Sequence, residues 1–187
     1  AATLVHYPLQ ARDNDPLGFF RHLADSIRAQ VDDFDTSWFN PLALASSLSP
    51  RLLGELFADA LERVDVPLFI VFDDFQWIDS RSILEVMAVL LEKLPAHVHL
   101  VIASRNHPGF ALSQLKLENR LLCIDQHDLR LSAEQVQQLN SHLGGQALNQ
   151  DYLDSLLGMT EGWVAGVKIA LLAYARFGTQ ALQRFNG

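Results

Sequence analysis

Two carboxylates, Asp73 and Asp74, stand directly after the apolar run Leu68-Phe69-Ile70-Val71-Phe72, which Pro67 introduces. A short apolar run of this kind predicts a strand buried on both sides, as in a parallel sheet. In open parallel sheets, ligands gather beyond the carboxyl ends of the strands, and that is where the two acids fall. One carboxylate there can hold Mg²⁺, a cation that takes hard oxygen ligands. The second can polarise a water that attacks a terminal phosphate. Two acids after a strand can equally form a turn or cap a helix, and the bare string leaves the two readings level. A second run tips the balance: Val101-Ile102-Ala103-Ser104-Arg105 reads as another buried strand, over 98–103, ending in a hydroxyl and a guanidinium. Ser104 and Arg105 would share the edge with the acids. Arg105 there either reads a phosphate or forms an ion pair with Asp73, Asp74 or Asp79.

Apolar residues ending in two acids form the Walker B pattern of P-loop nucleotide-binding proteins. Its usual complement is G-x-x-x-x-G-K-[ST], whose backbone amides and lysine cradle phosphates. None of the ten glycines precedes a lysine, and the lysines, Lys93, Lys116 and Lys168, follow no glycine-rich turn. The phosphate cradle is therefore absent from these 187 residues.

Other constellations carry less. Asp32, Asp33 and Asp35 lack the spacing of a calcium loop and read as a solvated acidic loop running from 32 to about 47. His97-x-His99 would put two imidazoles on one strand face, but no third ligand lies nearby. Cys123 falls in an apolar segment and reads as inert core. A G-x-S-x-G nucleophile elbow is missing. Phe19, Phe20 and Trp77 read as packing residues, with Trp77 near the acids.

The elements that must position these groups alternate. A strand over 3–8 is followed by Asp15-Pro16, an N-cap and first helical residue, with Phe19, Phe20, Leu23, Ala24, Ile27 and Val31 at helical spacing. Ser49-Pro50 starts the next helix. A helix over 80–93 joins the two buried strands, and a further strand is expected over 120–124. From 128 onward strand signals cease. Ser132-x-x-Gln135 fits a capping box, and three helices are expected, over 133–142, 150–157 and 161–176, with Gly144-Gly145 and Gly158 as breaks. Domains are thus expected over 1–127 and 128–187: an α/β core, then a small helical subdomain packed on it.

Bulk properties narrow the class. The net charge is −8 and the pI near 5.2, which argues against this segment gripping nucleic acid through its phosphates. A single cysteine excludes an internal disulfide and suits a reducing cytoplasm. No apolar run approaches the roughly 20 residues of a membrane span, and no signal peptide is evident. The sequence opens in a strand without an initiator methionine, which suggests an excised fragment with upstream residues missing.

Five pieces, in order, carry a resemblance: Asp13-Asn14-Asp15-Pro16; Val71-Phe72-Asp73-Asp74-Phe75-Gln76-Trp77-Ile78; the stretch from Leu94-Pro95 to Ala103-Ser104-Arg105; Asp128-Leu129-Arg130-Leu131-Ser132; and Thr160-Glu161-Gly162-Trp163-Val164-Ala165-Gly166. Together they resemble the STAND-type (NB-ARC-like) ATPase domain of large LuxR-family, MalT-like transcriptional regulators. The resemblance implies a three-layer P-loop NTPase-like fold with a mostly parallel sheet, truncated at the N-terminus, and a helical subdomain. It implies ATP or ADP with Mg²⁺ in the intact protein, Asp73 as the magnesium residue, Asp74 as the catalytic acid, and Ser104 and Arg105 as the phosphate sensor. Gly162 falls at the subdomain motif that touches nucleotide in related proteins, although the proline of that motif is missing here. It further implies self-association, DNA contact through a downstream helix-turn-helix outside this chain, and an inducer sensed by a downstream region. No nucleotide is expected on the fragment itself. Two rivals remain: a non-catalytic interaction module with a degenerate site, and a metal-dependent phosphohydrolase using Asp73, Asp74 and Asp79.

Overall fold

The computed structural model describes residues 2–37, 39 and 49–178. They form two compact units, Ala1–Leu121 and Leu122–Gly187, each with its own apolar core. Much of the acidic loop expected over 32–47 lies outside the described residues.

The first unit runs β1 (Thr3–Pro8), α1 (Pro16–Arg28), α2 (Pro50–Glu62), β2 (Leu68–Asp73), α3 (Arg81–Glu92), β3 (Val98–Ile102) and a short α4 (Ser113–Leu117). Local chemistry sets the helix starts. Asp15 accepts the Gly18 N–H at 2.7 Å ahead of Pro16, and Ser49 accepts the Leu52 N–H at 3.2 Å ahead of Pro50, so each cap satisfies an orphan donor. The strands are parallel in the order β1-β2-β3. Leu68 sits between Thr3 and Val98, and Phe72 between Tyr7 and Ile102.

One sheet face is sealed. Val5, Tyr7, Leu68, Ile70, Phe72 and Val98 pack with Phe19, Phe20, Leu23 and Ile27 of α1, Phe57 and Leu61 of α2, and Ile83, Met87 and Leu90 of α3. Fully burying each large side chain is worth about 1.5–3 kcal/mol. Helices α2 and α3 meet closely at Gly54, where a Cβ would lie 2.8 Å from Val89 Cβ and 2.9 Å from the Val86 carbonyl oxygen.

The opposite face corrects the expectation of strands buried on both sides. Leu4 is 59% exposed and Val101 45%, with Phe69, His6 and His99 exposed beside them. Burial alternates along each strand instead. The cause is topological: strands added in sequence order by right-handed crossovers put every connecting helix on one face. Nothing among the described residues of this unit crosses to the other.

The strand expected over 120–124 does not form; the segment is irregular. Arg120 donates to the Leu91 and Glu92 carbonyls at 3.0 and 3.4 Å, capping the end of α3, and no described strand lies alongside residues 121–124 to pair with them. Leu122 is 82% and Ile124 63% exposed. Cys123 is an exposed free thiol, not inert core.

The second unit is helical: α5 (Ala133–His142), α6 (Gln150–Thr160) and α7 (Val164–Phe177) around Val136, Leu153, Leu156, Val167 and Leu171. The capping box at Ser132 and Gln135 is present. Gly158 lies inside α6 rather than breaking it; one glycine costs a helix only about 1 kcal/mol, and Leu156 and Leu157 hold it to the core. The break comes at Glu161 and Gly162, both at positive φ. Tyr152, buried and beside Tyr174, has its hydroxyl pKa pushed up to about 12, burial being the main cause.

Candidate nucleotide and magnesium site

The acids close the central strand. Asp73 is the last residue of β2, registered against Pro8, and its carbonyl accepts the Leu9 N–H at 2.9 Å. Beyond the strand ends the chain stays zipped: Ala103 N–H donates to Phe72 O and Phe75 N–H to Ala103 O, both at 2.9 Å. Asp74 bulges between them with a left-handed backbone, φ 57°, a conformation that aspartate tolerates better than most residues.

The Asp73 carboxylate is half-exposed. One oxygen accepts the Asp74 N–H at 3.0 Å, and the other lies 3.6 Å from His6 Nε2. Asp74 accepts from Gln76 Nε2 at 2.7 Å. Ser104 and Arg105 follow β3 on the same edge of the sheet, both exposed; Ser104 Oγ accepts the Asn106 N–H at 3.4 Å. The Arg105 N–H donates to Gln76 Oε1 at 3.1 Å, while its guanidinium joins none of the ion pairs among the described residues, the one at Asp73 being with His6. The structural ion pair weighed for Arg105 is thus not formed. A cleft of about 240 Å³ beside this edge is lined by Phe75, Gln76, Asp79, Ser104, Asn106 and His107.

Gly162 belongs to the second unit. Its φ of +77° and the 2.9 Å that would separate a Cβ from Leu131 O make glycine a backbone requirement there. Leu131 N–H donates to Gly162 O at 2.8 Å, so the Asp128–Ser132 and Thr160–Gly166 motifs meet through their main chains. Trp163, next to Gly162, is 51% exposed and stands as the N-cap of α7. The two histidines separate: His97 Nε2 lies 3.2 Å from Leu61 O, and His99 stacks on Phe69 with ring centroids 4.7 Å apart.

Several residues at the site escaped the sequence reading. Asp13 is a buried carboxylate whose Oδ1 accepts from Tyr7 Oη at 3.1 Å and lies 2.9 Å from His22 Nδ1, while its Oδ2 accepts the Gln10 N–H at 2.8 Å. Burial pushes its pKa up, but the bonds from His22, Gln10 and Tyr7 outweigh that and hold it below the ordinary value. Burial first, and then the Asp13 carboxylate, raises the Tyr7 hydroxyl well above its usual range. Next to it, Asn14 Oδ1 accepts the N–H groups of Asp79 and Ser80 at 2.9 and 2.8 Å, docking the loop after the acids onto the end of β1. Only the Asp13-Asn14 pair in a short polar turn hinted at this.

The donor set fits a hard cation in part. Asp73 offers carboxylate oxygens at a strand end, and Mg²⁺ is commonly held by one or two carboxylates with water and phosphate oxygens. Among the described residues no group of three or more His, Cys, Asp or Glu side chains could hold a metal unaided, so phosphate would have to complete such a site.

No protein-family profile matches the chain. It is similar to the serine/threonine-protein kinase PknK of Mycobacterium tuberculosis (strain CDC 1551 / Oshkosh), 25% identical over 94% of this chain and 16% of PknK. It is also similar to the HTH-type transcriptional regulator MalT of Cronobacter sakazakii, 26% identical over 95% of this chain and 20% of that protein. The MalT of Yersinia pestis (strain Pestoides F) is 29% identical over 65% of this chain and 13% of its own length. The chain therefore spans a fifth or less of the curated relatives it matches. No helix among the described residues is long and apolar enough to cross a membrane. The chain is thus an α/β segment with a parallel sheet and a helical part, distantly similar to a stretch of proteins named as a transcriptional regulator and as a protein kinase.

Proposed function

We propose that this chain is part of an ATP-binding signal-transduction module, of the STAND ATPase kind, in a LuxR-type transcriptional regulator. The observation that carries the reading is Asp73 and Asp74 at the carboxyl end of the central parallel strand, with Ser104 and Arg105 on the same edge. The relatives support it: one stretch aligns both with a protein named a transcriptional regulator and with one named a kinase. A segment shared by two such different whole proteins suits a common regulatory module better than either named activity.

In this reading Asp73 would hold Mg²⁺, which would neutralise phosphate charge when bound. Asp74 accepts a proton from the attacking water, and Ser104 and Arg105 bind the terminal phosphate oxygens. ATP or ADP with Mg²⁺ are the cofactors of the intact protein, which self-associates and meets DNA and inducer through regions beyond this chain, in the cytoplasm. The 187 residues contain no glycine-rich loop ending in Gly-Lys, so the chain alone binds ATP weakly or not at all, because such a loop supplies most of the phosphate grip. The second reading is an interaction module whose acids no longer serve a nucleotide; a full gene product with no such loop ahead of residue 3 would favour it.

The test uses the full gene product. Asp74→Asn should cut ATP turnover by about 10²-fold or more with ATP binding retained, the usual worth of a general base, while Asp73→Asn should weaken Mg²⁺-dependent binding. Wild-type turnover in both variants would overturn the assignment, and micromolar ATP binding by the 187-residue chain in calorimetry would overturn the expectation that the chain alone binds ATP weakly or not at all.

A further inference from the structure

The loop after the acid pair is tied down at both ends by side-chain amides. Asn14 holds its far end at Asp79 and Ser80. At the near end Gln76 uses both halves of its amide: Nε2 donates to the Asp74 carboxylate at 2.7 Å, and Oε1 accepts the Arg105 N–H at 3.1 Å. Gln76 thus spans two segments, the bulge after β2 and the loop after β3, that are 29 residues apart in sequence. Its side chain is half-buried, and the backbone on either side is fixed by the Phe75–Ala103 hydrogen bond.

From this geometry we infer that Gln76 is a positioning residue coupling the Asp74 carboxylate to the Arg105 backbone, so that a change at the acid is felt at the phosphate-reading loop. The inference rests on the reading of Asp74 and Arg105 as parts of one site. An amide suits the task because it carries a donor and an acceptor on one rigid plane. A carboxylate at 76 could accept from Arg105 but not donate to Asp74; an ammonium could do the reverse. When Asp74 accepts from a water or engages a ligand, its pull on Nε2 changes. The plane of the amide then carries that change to Oε1 and the Arg105 N–H.

A double-mutant cycle on this chain tests it, read by hydrogen exchange and the NMR shift of the Arg105 amide. Asp74→Gly keeps the left-handed backbone and removes the acceptor. Alone, it should speed Arg105 exchange by about 2- to 10-fold, the worth of one hydrogen bond. In a Gln76→Ala background the same change should leave Arg105 exchange unaltered. An equal effect in both backgrounds, or none in either, refutes the coupling.

Gln76→Met separates this from a space-filling role: it keeps the bulk at 76 without the amide's donor and acceptor, so Asp74→Gly should leave Arg105 exchange unaltered in that background too. A Gln76→Met background that still transmits the Asp74→Gly effect counts against the proposal. Unchanged exchange in α1 and β2 certifies the fold of every variant. Nucleotide binding is measured separately: a working cycle without ATP binding by the full gene product overturns the functional reading alone, and ATP binding with a failed cycle overturns only the coupling.

Discussion

Replacing Asp13 by asparagine changes the shape of a buried side chain very little and its hydrogen bonding a great deal. The carboxylate accepts from three partners: Tyr7 and His22 on one oxygen, the Gln10 N–H on the other. With its carbonyl toward Tyr7 and His22, an asparagine sets its NH₂ donor to donor against the Gln10 N–H. Flipped, it keeps Gln10 and turns its NH₂ on Tyr7 and His22, so the Tyr7 hydroxyl must swing to the Phe19 carbonyl, 3.4 Å away, and His22 must present Nδ1 as an acceptor. In either case the charged acceptor is gone, at about 1.5–3 kcal/mol. With a urea slope of about 1–3 kcal/mol per molar, the midpoint for the first unit should fall by about 0.5–3 M, followed by exchange of β2 amides across a urea series.

The pH dependence gives a second handle on Asp13. Its pKa in the fold lies below the ordinary value of 3.8, so around that value the unfolded chain binds more protons than the fold. Stability from this group is present above the ordinary value and is lost as pH falls through the lower, folded one. Wild type should therefore lose stability in that acid window more steeply than Asp13→Asn, which has no proton to gain there. A variant within about 0.5 kcal/mol of wild type, the range of an uninvolved surface change, or one with the same acid limb, would refute the reasoning.

Two further variants probe Gly162 and the segment over 120–124. Gly162→Ala should destabilise the second unit by about 1–2 kcal/mol from the left-handed backbone alone, and by more because its Cβ would press on the Leu131 carbonyl; a urea melt of α5–α7 amides at wild-type position would contradict that. Leu122→Ser with Ile124→Ser should shift the thermal midpoint hardly at all, within about 0.5 kcal/mol for exposed sites; a loss of several degrees would mean that the segment is a packed strand after all.

Much of the framework was legible because the signals are local. Asp15-Pro16, Ser49-Pro50 and the Ser132-Gln135 box begin helices through bonds to amides three residues on, so sequence spacing alone predicts them. The apolar run ending at Asp73 placed the acids at a strand end for the same reason. Where the reading failed, the deciding partner was distant. Residues 120–124 are apolar enough for a strand, but a strand needs a neighbour, and Arg120 reaches instead for the end of α3. Burial of β2 on one face rather than two comes from strand order, which apolar content does not encode. Gln76 meets Arg105, and Asn14 meets Asp79, only once the sheet brings the strand ends together. Gly162 was placed by its motif alone, and its positive φ, which sequence spacing does not reveal, gives glycine a backbone role there as well.

The bare face of the sheet has a practical side. Leu4, Phe69 and Val101 present an apolar surface to water, and the chain's eight net negative charges oppose the approach of one such surface to another. That repulsion fades as pH approaches the isoelectric value near 5.2, and added salt screens it. Mild acid should thus drive copies of the chain together well before the Asp13 carboxylate is protonated. Colloidal and conformational failure then occupy separate pH ranges, the first governed by a surface and the second by a buried hydrogen-bond network.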